Sequence, residues 1–231
     1  MAEKQDYYAL IGVVKMVTSK EKHEFGEEKP KNKINLNPLT RLFEKPQKSI
    51  EPYVRKDQVV ADLGCNKGHY TFALAECVGP GGKVYAVDLR EDYVEALKKK
   101  AEELGYPNIE AHASSASDLN FIKDESVDFV LANGLLCNVP EHRPIVVKEI
   151  KRVLKSTGQA YLSLGSYPPF GFVNRNEWKK ILAGFRVERR GGFLQPWALV
   201  FKKDDGEDTS ADYVETNKRP RFVKLRKKWG E

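Results

Sequence analysis

Between residues 36 and 203 the chain alternates two textures. Short, nearly continuous apolar runs occupy Gln58–Leu63, Lys83–Asp88, Asn108–Ala113, Val127–Ala132 and Gly158–Leu164, the pattern of strands buried on both faces. Between them the apolar positions fall three or four apart, as on one face of a helix. Phe72, Leu74, Ala75 and Val78 mark a helix over Gly68–Val78. Val94, Leu97, Ala101 and Leu104 mark one over Glu91–Leu104, and Ile145, Val146, Ile150, Val153 and Leu154 one over Arg143–Leu154. A fourth helix is expected over Asn174–Ala183, capped by Asn174 or Asn176. Gly79-Pro80-Gly81-Gly82 is a strong turn. Strands that alternate with helices predict a mostly parallel sheet covered on both faces. The last two strands, Phe185–Glu188 and Trp197–Lys202, have no helix between them. A parallel pair needs a long crossover, so this pair is expected to be an antiparallel hairpin around Arg190-Gly191-Gly192. The pattern predicts an α/β domain with a doubly wound, mostly parallel sheet of seven strands ending in that hairpin.

The flanks differ from this middle region. Residues 1–35 form an amino-terminal extension with one short apolar segment, Tyr7–Val17, a candidate lid or added strand. Residues 204–231 form a charged tail. Its first half carries Asp204, Asp205, Glu207, Asp208, Asp212 and Glu215; its second carries Lys218, Arg219, Arg221, Lys224, Arg226, Lys227 and Lys228. The run Ala9–Val14 is far shorter than the roughly 20 residues of a membrane span, so no membrane anchor is expected and the reading is cytoplasmic. Net charge is +6 with 31% charged residues, which solubility alone explains. The three cysteines, Cys65, Cys77 and Cys137, have no C-x-x-C spacing, and the four histidines show no metal-ligand spacing. Neither a disulfide framework nor a metal site is expected.

The candidate chemistry lies after the first strand, in Asp62-Leu63-Gly64-Cys65-Asn66-Lys67-Gly68. A glycine turn between strand and helix brings backbone N–H groups close to a ligand. A dinucleotide loop of the G-x-G-x-x-G type does not fit, because its third glycine would fall on His69. Asp62, two residues before Gly64, would repel a pyrophosphate; it suits a ligand that carries an ammonium and a sulfonium. Asp88 ends the second strand, 24 residues after Gly64. A carboxylate there can accept hydrogen bonds from both ribose hydroxyls.

As an ordered set these segments resemble the class I S-adenosylmethionine-dependent methyltransferases, particularly the small-molecule type related to ubiquinone/menaquinone C-methyltransferases. The resemblance runs from about Leu42 to Lys202. The glycine loop looks like that family's first motif, and Val84-Tyr85-Ala86-Val87-Asp88 like its second. Ser117-Asp118-Leu119 looks like the segment that meets adenine, and Val127–Asn133 like the strand-four motif. Glu149–Lys155 with Gly158 resembles the helix and turn before strand five. The resemblance implies a Rossmann-like methyltransferase fold, S-adenosyl-L-methionine as cofactor and S-adenosyl-L-homocysteine as product. It puts Asp62 and Gly64 near the methionine portion, Asp88 on the ribose and Asp118 on the adenine amino group, and it adds Cys65, Asn66, Gly68, Leu89, Ser117 and Asn133 as cofactor-binding residues. Asp128 reads instead as a structural acid. The chain departs from the family at Asn66, where glycine is usual; asparagine tolerates a left-handed backbone best among the other residues.

Methyl transfer from a sulfonium needs positioning above all, and a base only where the acceptor loses a proton. His69, Tyr70, Asn133, Cys137, Asn138 and His142 fall on loops at the ligand end of the sheet, and none is assigned as catalytic. Ala132-Asn133-Gly134-Leu135 is not the Asn-Pro-Pro-Tyr type motif of amino-group methylators, and Cys137 is not in the Pro-Cys pair of cytosine methylators. A small-molecule acceptor is therefore the expectation. The alternatives are an RNA or protein substrate held by Phe222–Trp229, a non-catalytic scaffold invited by Asn66, and a nicotinamide-dependent oxidoreductase.

Overall fold

The computed structural model describes residues 46, 50–164, 175–191, 196–203 and 214–215, all within a compact unit spanning Asn32–Glu231. The extension 1–35, Asn174, Gly192 and the basic-aromatic segment Phe222–Trp229 lie outside the described residues.

The expected strands are present as β1 (Val59–Leu63), β2 (Lys83–Asp88), β3 (Ile109–Ala113), β4 (Val127–Asn133), β5 (Leu154–Ser163), β6 (Phe185–Gly191) and β7 (Trp197–Lys202). They form a single sheet in the order β3-β2-β1-β4-β5-β7-β6. A two-residue strand, β8 (Val214–Glu215), extends it at the β6 edge in parallel. The pairs β1–β2, β2–β3, β1–β4 and β4–β5 are parallel, and β5–β7 and β6–β7 antiparallel. The link between β6 and β7 is too short for a crossover, and the hairpin follows.

The helices are α1 (Thr71–Val78), α2 (Glu91–Leu104), α3 (Arg143–Val153) and α4 (Arg175–Ala183). From β1 the chain winds one way through β2 to β3, then jumps back beyond β1 to β4 and winds the other way. Right-handed crossovers therefore place helices on opposite faces. Under α1 lie Val60, Phe129, Leu131, Tyr161 and Leu199 with Leu74 and Val78. Under α2 lie Ala86 and Ala111 with Val94 and Leu97. The other face buries Leu63, Val130, Ala132, Leu162, Ala198 and Val200 against Val146, Ile150, Ile181 and Leu182.

Several local expectations need correction. Residues 68–70 are the end of the glycine loop, and α1 begins at Thr71. Leu104 is exposed at the end of α2, where Gly105 (φ +73°) caps the helix. Ile145 is also exposed, and Val146 alone of the pair faces the core. Leu154 ends no helix but opens β5, which takes in the polar Lys155-Ser156-Thr157. Asn176 lies inside α4.

The strand order reverses between β1 and β4. There β1 stays paired with β2 through Leu63↔Val87, but with β4 only as far as Asp62↔Leu131. At the opposite end Asp128 ties the two together. Its Oδ2 accepts the Val59 N–H at 2.9 Å and its Oδ1 accepts Lys155 Nζ at 2.7 Å. The seam is laced at the bottom and parted at the top, where ligands of open α/β sheets bind.

Candidate functional site

The glycine loop sits at that parting. Gly64 and Cys65 both donate their N–H to the Val87 carbonyl, at 2.8 and 3.0 Å, so the loop folds onto the end of β2. Gly64, Asn66 and Gly68 all have left-handed backbones, with φ of +79°, +50° and +89°. Asn66 thus adopts the conformation for which glycine is usual, and its Nδ2 closes the turn on the Gly64 carbonyl at 3.0 Å. Gly68 has no such latitude. A Cβ there would stand 2.7 Å from the Phe72 ring and 3.1 Å from Leu97. Across the seam, a Cβ on Gly64 would meet Leu135 of the loop after β4 at 3.4 Å, which marks how closely the two loops approach.

Asp88 binds the loop to the start of α2. Its Oδ2 accepts the Asn66 N–H at 2.8 Å and its Oδ1 the Arg90 N–H at 3.0 Å. Each carboxylate oxygen keeps a further lone pair for a hydroxyl. Leu89, beside it, is one of the few large apolar side chains in the described residues left exposed. Asp62 is its opposite, only 3% exposed, with Thr71 Oγ1 donating to its Oδ2 at 2.7 Å. Burial pushes the Asp62 carboxyl up to about 7; the Thr71 hydrogen bond opposes this, the Asp88 charge adds to it, and His69 opposes it. A buried acid poised in this way favours a cation arriving beside it. The Cys65 side chain packs with Val94 and Leu97 instead. Burial, reinforced by Asp62 and Asp88, pushes its thiol far up, so it stays neutral.

Ser117 and Asp118 lie on the loop after β3. Ser115 Oγ accepts the Ser117 N–H at 3.2 Å and shares a 2.7 Å bond with Ser117 Oγ, while the Asp118 N–H donates to the Ser115 carbonyl. The Asp118 side chain is exposed. Asn133 ends β4, and its Oδ1 accepts Ser163 Oγ at 2.5 Å. Cys137 Sγ and Asn138 Nδ2 both turn back onto the Gly134 carbonyl, at 3.0 and 2.9 Å, and close the loop after β4. His142 precedes the first residue of α3 and makes no side-chain cap. His69 packs edge-on to Tyr70 at 4.9 Å.

The sequence reading passed over the residues that hold these loops in place. Glu149 Oε2 accepts the Leu119 N–H, and Arg152 donates to the carbonyls of Leu119 and Ile122 at 2.8 and 2.9 Å. This pair clamps the segment that carries Ser117 and Asp118. Its acid–base spacing of three on a helix was the available signal. Arg143, buried, donates from Nε to the Leu136 carbonyl at 2.8 Å and stands 3.6 Å from Glu177 of α4. Thr71 and Ser163 are buried polar residues in apolar surroundings, which strand and helix patterning reads as filler.

The left-handed loop, the buried acid under it and the second acid at the end of β2 gather at the switch point of the doubly wound sheet, where open α/β folds bind their ligands. A family model described as a methyltransferase domain matches residues 55–180, and the chain belongs to that family. It is 36% identical over 120 residues to the demethylmenaquinone methyltransferase of Bacillus velezensis, covering 52% of this chain and 51% of that protein. With the Lactococcus lactis protein of the same name it is 40% identical over 109 residues, covering 47% and 42%. The chain thus spans about half the length of the curated relatives it matches. Among solved structures, a SAM-dependent methyltransferase from Aquifex aeolicus superposes with a TM-score of 0.61 at 26% identity, covering 73% of this chain and 95% of that one. A TehB-like SAM-dependent methyltransferase from Corynebacterium glutamicum gives 0.59 at 18% identity, covering 72% and 93%, and shares the fold. Among the described residues no helix is long and apolar enough to cross a membrane.

Proposed function

We propose that the chain is an S-adenosylmethionine-dependent methyltransferase acting on a small-molecule acceptor by in-line displacement, with residues 36–203 as its catalytic domain. The observation that carries this reading is the joining of Asp88 to the Asn66 and Arg90 N–H groups, with Asp62 buried alongside in the same loop system. The donor set fits the cofactor. Asp62 would hold the methionine ammonium, Gly64, Asn66 and Gly68 would let backbone close over that end, Asp88 would take the ribose hydroxyls, and Leu89, Ser117 and Asp118 would flank adenine. S-adenosylmethionine, when bound, supplies a methyl group already activated on a sulfonium. The chain's own work is to position and to exclude water. Asn66 keeps the left-handed turn and adds a hydrogen bond, which weighs against a disabled, scaffold-only loop. The relatives being demethylmenaquinone methyltransferases supports an acceptor of the quinone kind, a flat ring system bearing oxygen.

Calorimetric titration with S-adenosylhomocysteine tests the cofactor half. Micromolar binding is expected, and Asp88→Ala should weaken it roughly ten- to hundredfold, the loss of charge-assisted bonds worth about 1.5–3 kcal/mol. Failure of the wild-type protein to bind, or preferential binding of NADH, would overturn the reading.

A further inference from the structure

Asn133 of β4, Ser163 of β5 and Trp197 of β7 stand in register, Asn133↔Ser163↔Trp197, across the ligand edge of the sheet. Strand alternation puts all three on the face that also carries Asp62, because their neighbours two residues back along β1, β4 and β5, and two on along β7, are Val60, Leu131, Tyr161 and Leu199 of one core. The side-chain oxygens of the first two bond each other. Ser163 Oγ donates to Asn133 Oδ1 and accepts the Gly134 N–H at 3.0 Å. Trp197 is left over. Its ring is 5% exposed and stacks on Tyr161 at 5.9 Å with an interplanar angle of 10°. Its indole Nε1–H is shut off from solvent and has no hydrogen-bond partner among the described residues.

An indole N–H can only donate, and a buried donor without an acceptor loses its hydration with no bond in return. Phenylalanine would stack on Tyr161 without that cost. Trp197 lies three strands from Asp62, roughly 14 Å at about 4.8 Å per strand, so it belongs to a different part of the edge from the cofactor loop. Resting on the methyltransferase reading above, we propose that Trp197 is a positioning residue for the methyl acceptor, its Nε1–H donating a hydrogen bond to an oxygen on a flat, largely apolar ring system. The Tyr161–Trp197 stack supplies the apolar wall, and the indole N–H fixes which edge of the ring carries the oxygen. An acceptor without that oxygen leaves the donor unpaired and is discriminated against.

The test uses the full chain saturated with S-adenosylhomocysteine and α-naphthol as probe, with naphthalene as the control that lacks oxygen. In proton–nitrogen correlation spectra, the indole cross-peak missing from Trp197→Phe identifies Trp197. That peak should move downfield with α-naphthol and stay in place with naphthalene. Trp197→Phe should bind α-naphthol about tenfold more weakly, with its affinity for S-adenosylhomocysteine unchanged within twofold. A stationary peak in the wild-type protein, an equal shift with naphthalene, or a parallel loss of S-adenosylhomocysteine affinity in the variant overturns the proposal; the first of these leaves a buried water as the partner of the indole. Absence of S-adenosylhomocysteine binding in the wild-type protein overturns the methyltransferase reading instead, so the two failures are distinguishable.

Discussion

Asp62 joins stability to ligand at the residue scale. Its carboxyl titrates near 7 in the fold against an ordinary value of 3.8. The fold therefore favours the protonated form. That contribution is fully present below pH 3.8 and is lost as the pH rises through about 7, for a total of about 4 kcal/mol by linkage. Asp62→Asn should flatten this part of the pH–stability curve of the ligand-free protein, as followed by denaturant midpoints. A ligand ammonium beside the carboxylate reverses the preference. S-adenosylhomocysteine should bind more tightly as the pH rises from 5 to about 7, then level off, with release of close to one proton at pH 6. Titrations in buffers of different ionisation enthalpy would read that proton directly; no difference between buffers would contradict the role given to Asp62. Two positions in the loop should respond oppositely to exchange of glycine with another residue. Asn66→Gly keeps the left-handed φ and forfeits only one bond to the Gly64 carbonyl, so the denaturation midpoint should hardly move. Gly68→Ala meets both a φ of +89° and the Phe72 ring, and should cost about 2–3 kcal/mol.

Among the elements, α3 does more than cover the sheet. Its Glu149–Arg152 pair reaches across to the loop after β3, and Arg152 also ion-pairs with Asp124. Arg152→Leu strands the carbonyls of Leu119 and Ile122 and should lower stability by roughly 2–3 kcal/mol. The Leu119 amide should then exchange with solvent faster, and S-adenosylhomocysteine should bind more weakly through loss of loop order. Glu149→Gln keeps an acceptor for the Leu119 N–H and should lose less on both measures. If Arg152→Leu left cofactor affinity untouched, the clamp would be structural only. The β6–β7 hairpin shows what element patterning can and cannot give. Its antiparallel sense follows from the length of the link alone. The extension of β6 beyond Glu188 to Gly191 does not, because Arg189, Arg190 and Gly191 look like the turn until the strand is known to lie near the sheet's edge, where only one face needs to be apolar. β5 starts early, at Leu154 beside Val127, with a register shift before Phe129↔Gln159, and Gly158 within it lies against the Val127 carbonyl, with 2.9 Å left for a Cβ.

For the whole molecule, the seven strands, their mostly parallel sense and most helix spans were legible in the sequence, because burial on two faces leaves a continuous apolar signature; the order of the strands came from the structure. The grouping of the residues proposed for the cofactor was legible too: Asp62, Gly64, Asn66, Gly68 and Asp88 sit within one strand–loop–helix–strand unit, where spacing along the chain dictates position. Of the three residues at the edge proposed for the acceptor, Asn133 was named from the sequence, and Ser163 and Trp197 were not. Asn133, Ser163 and Trp197 are far apart in sequence and meet only through the register of three strands, and a tryptophan opening a strand reads as core. The same register governs how the molecule comes apart. The seam between β1 and β4 has its side-chain lacing at one end only, and it is the one interior boundary where the sheet's two winding directions meet. In the free protein the two halves should open along it as separate leaves, the β4 amides exchanging apart from those of β2 and β3. A ligand spanning the parted end would pin both leaves, turning a hinged book into a single board: on saturation with S-adenosylhomocysteine the exchange rates of the two halves should merge, and the force needed to pull them apart should rise.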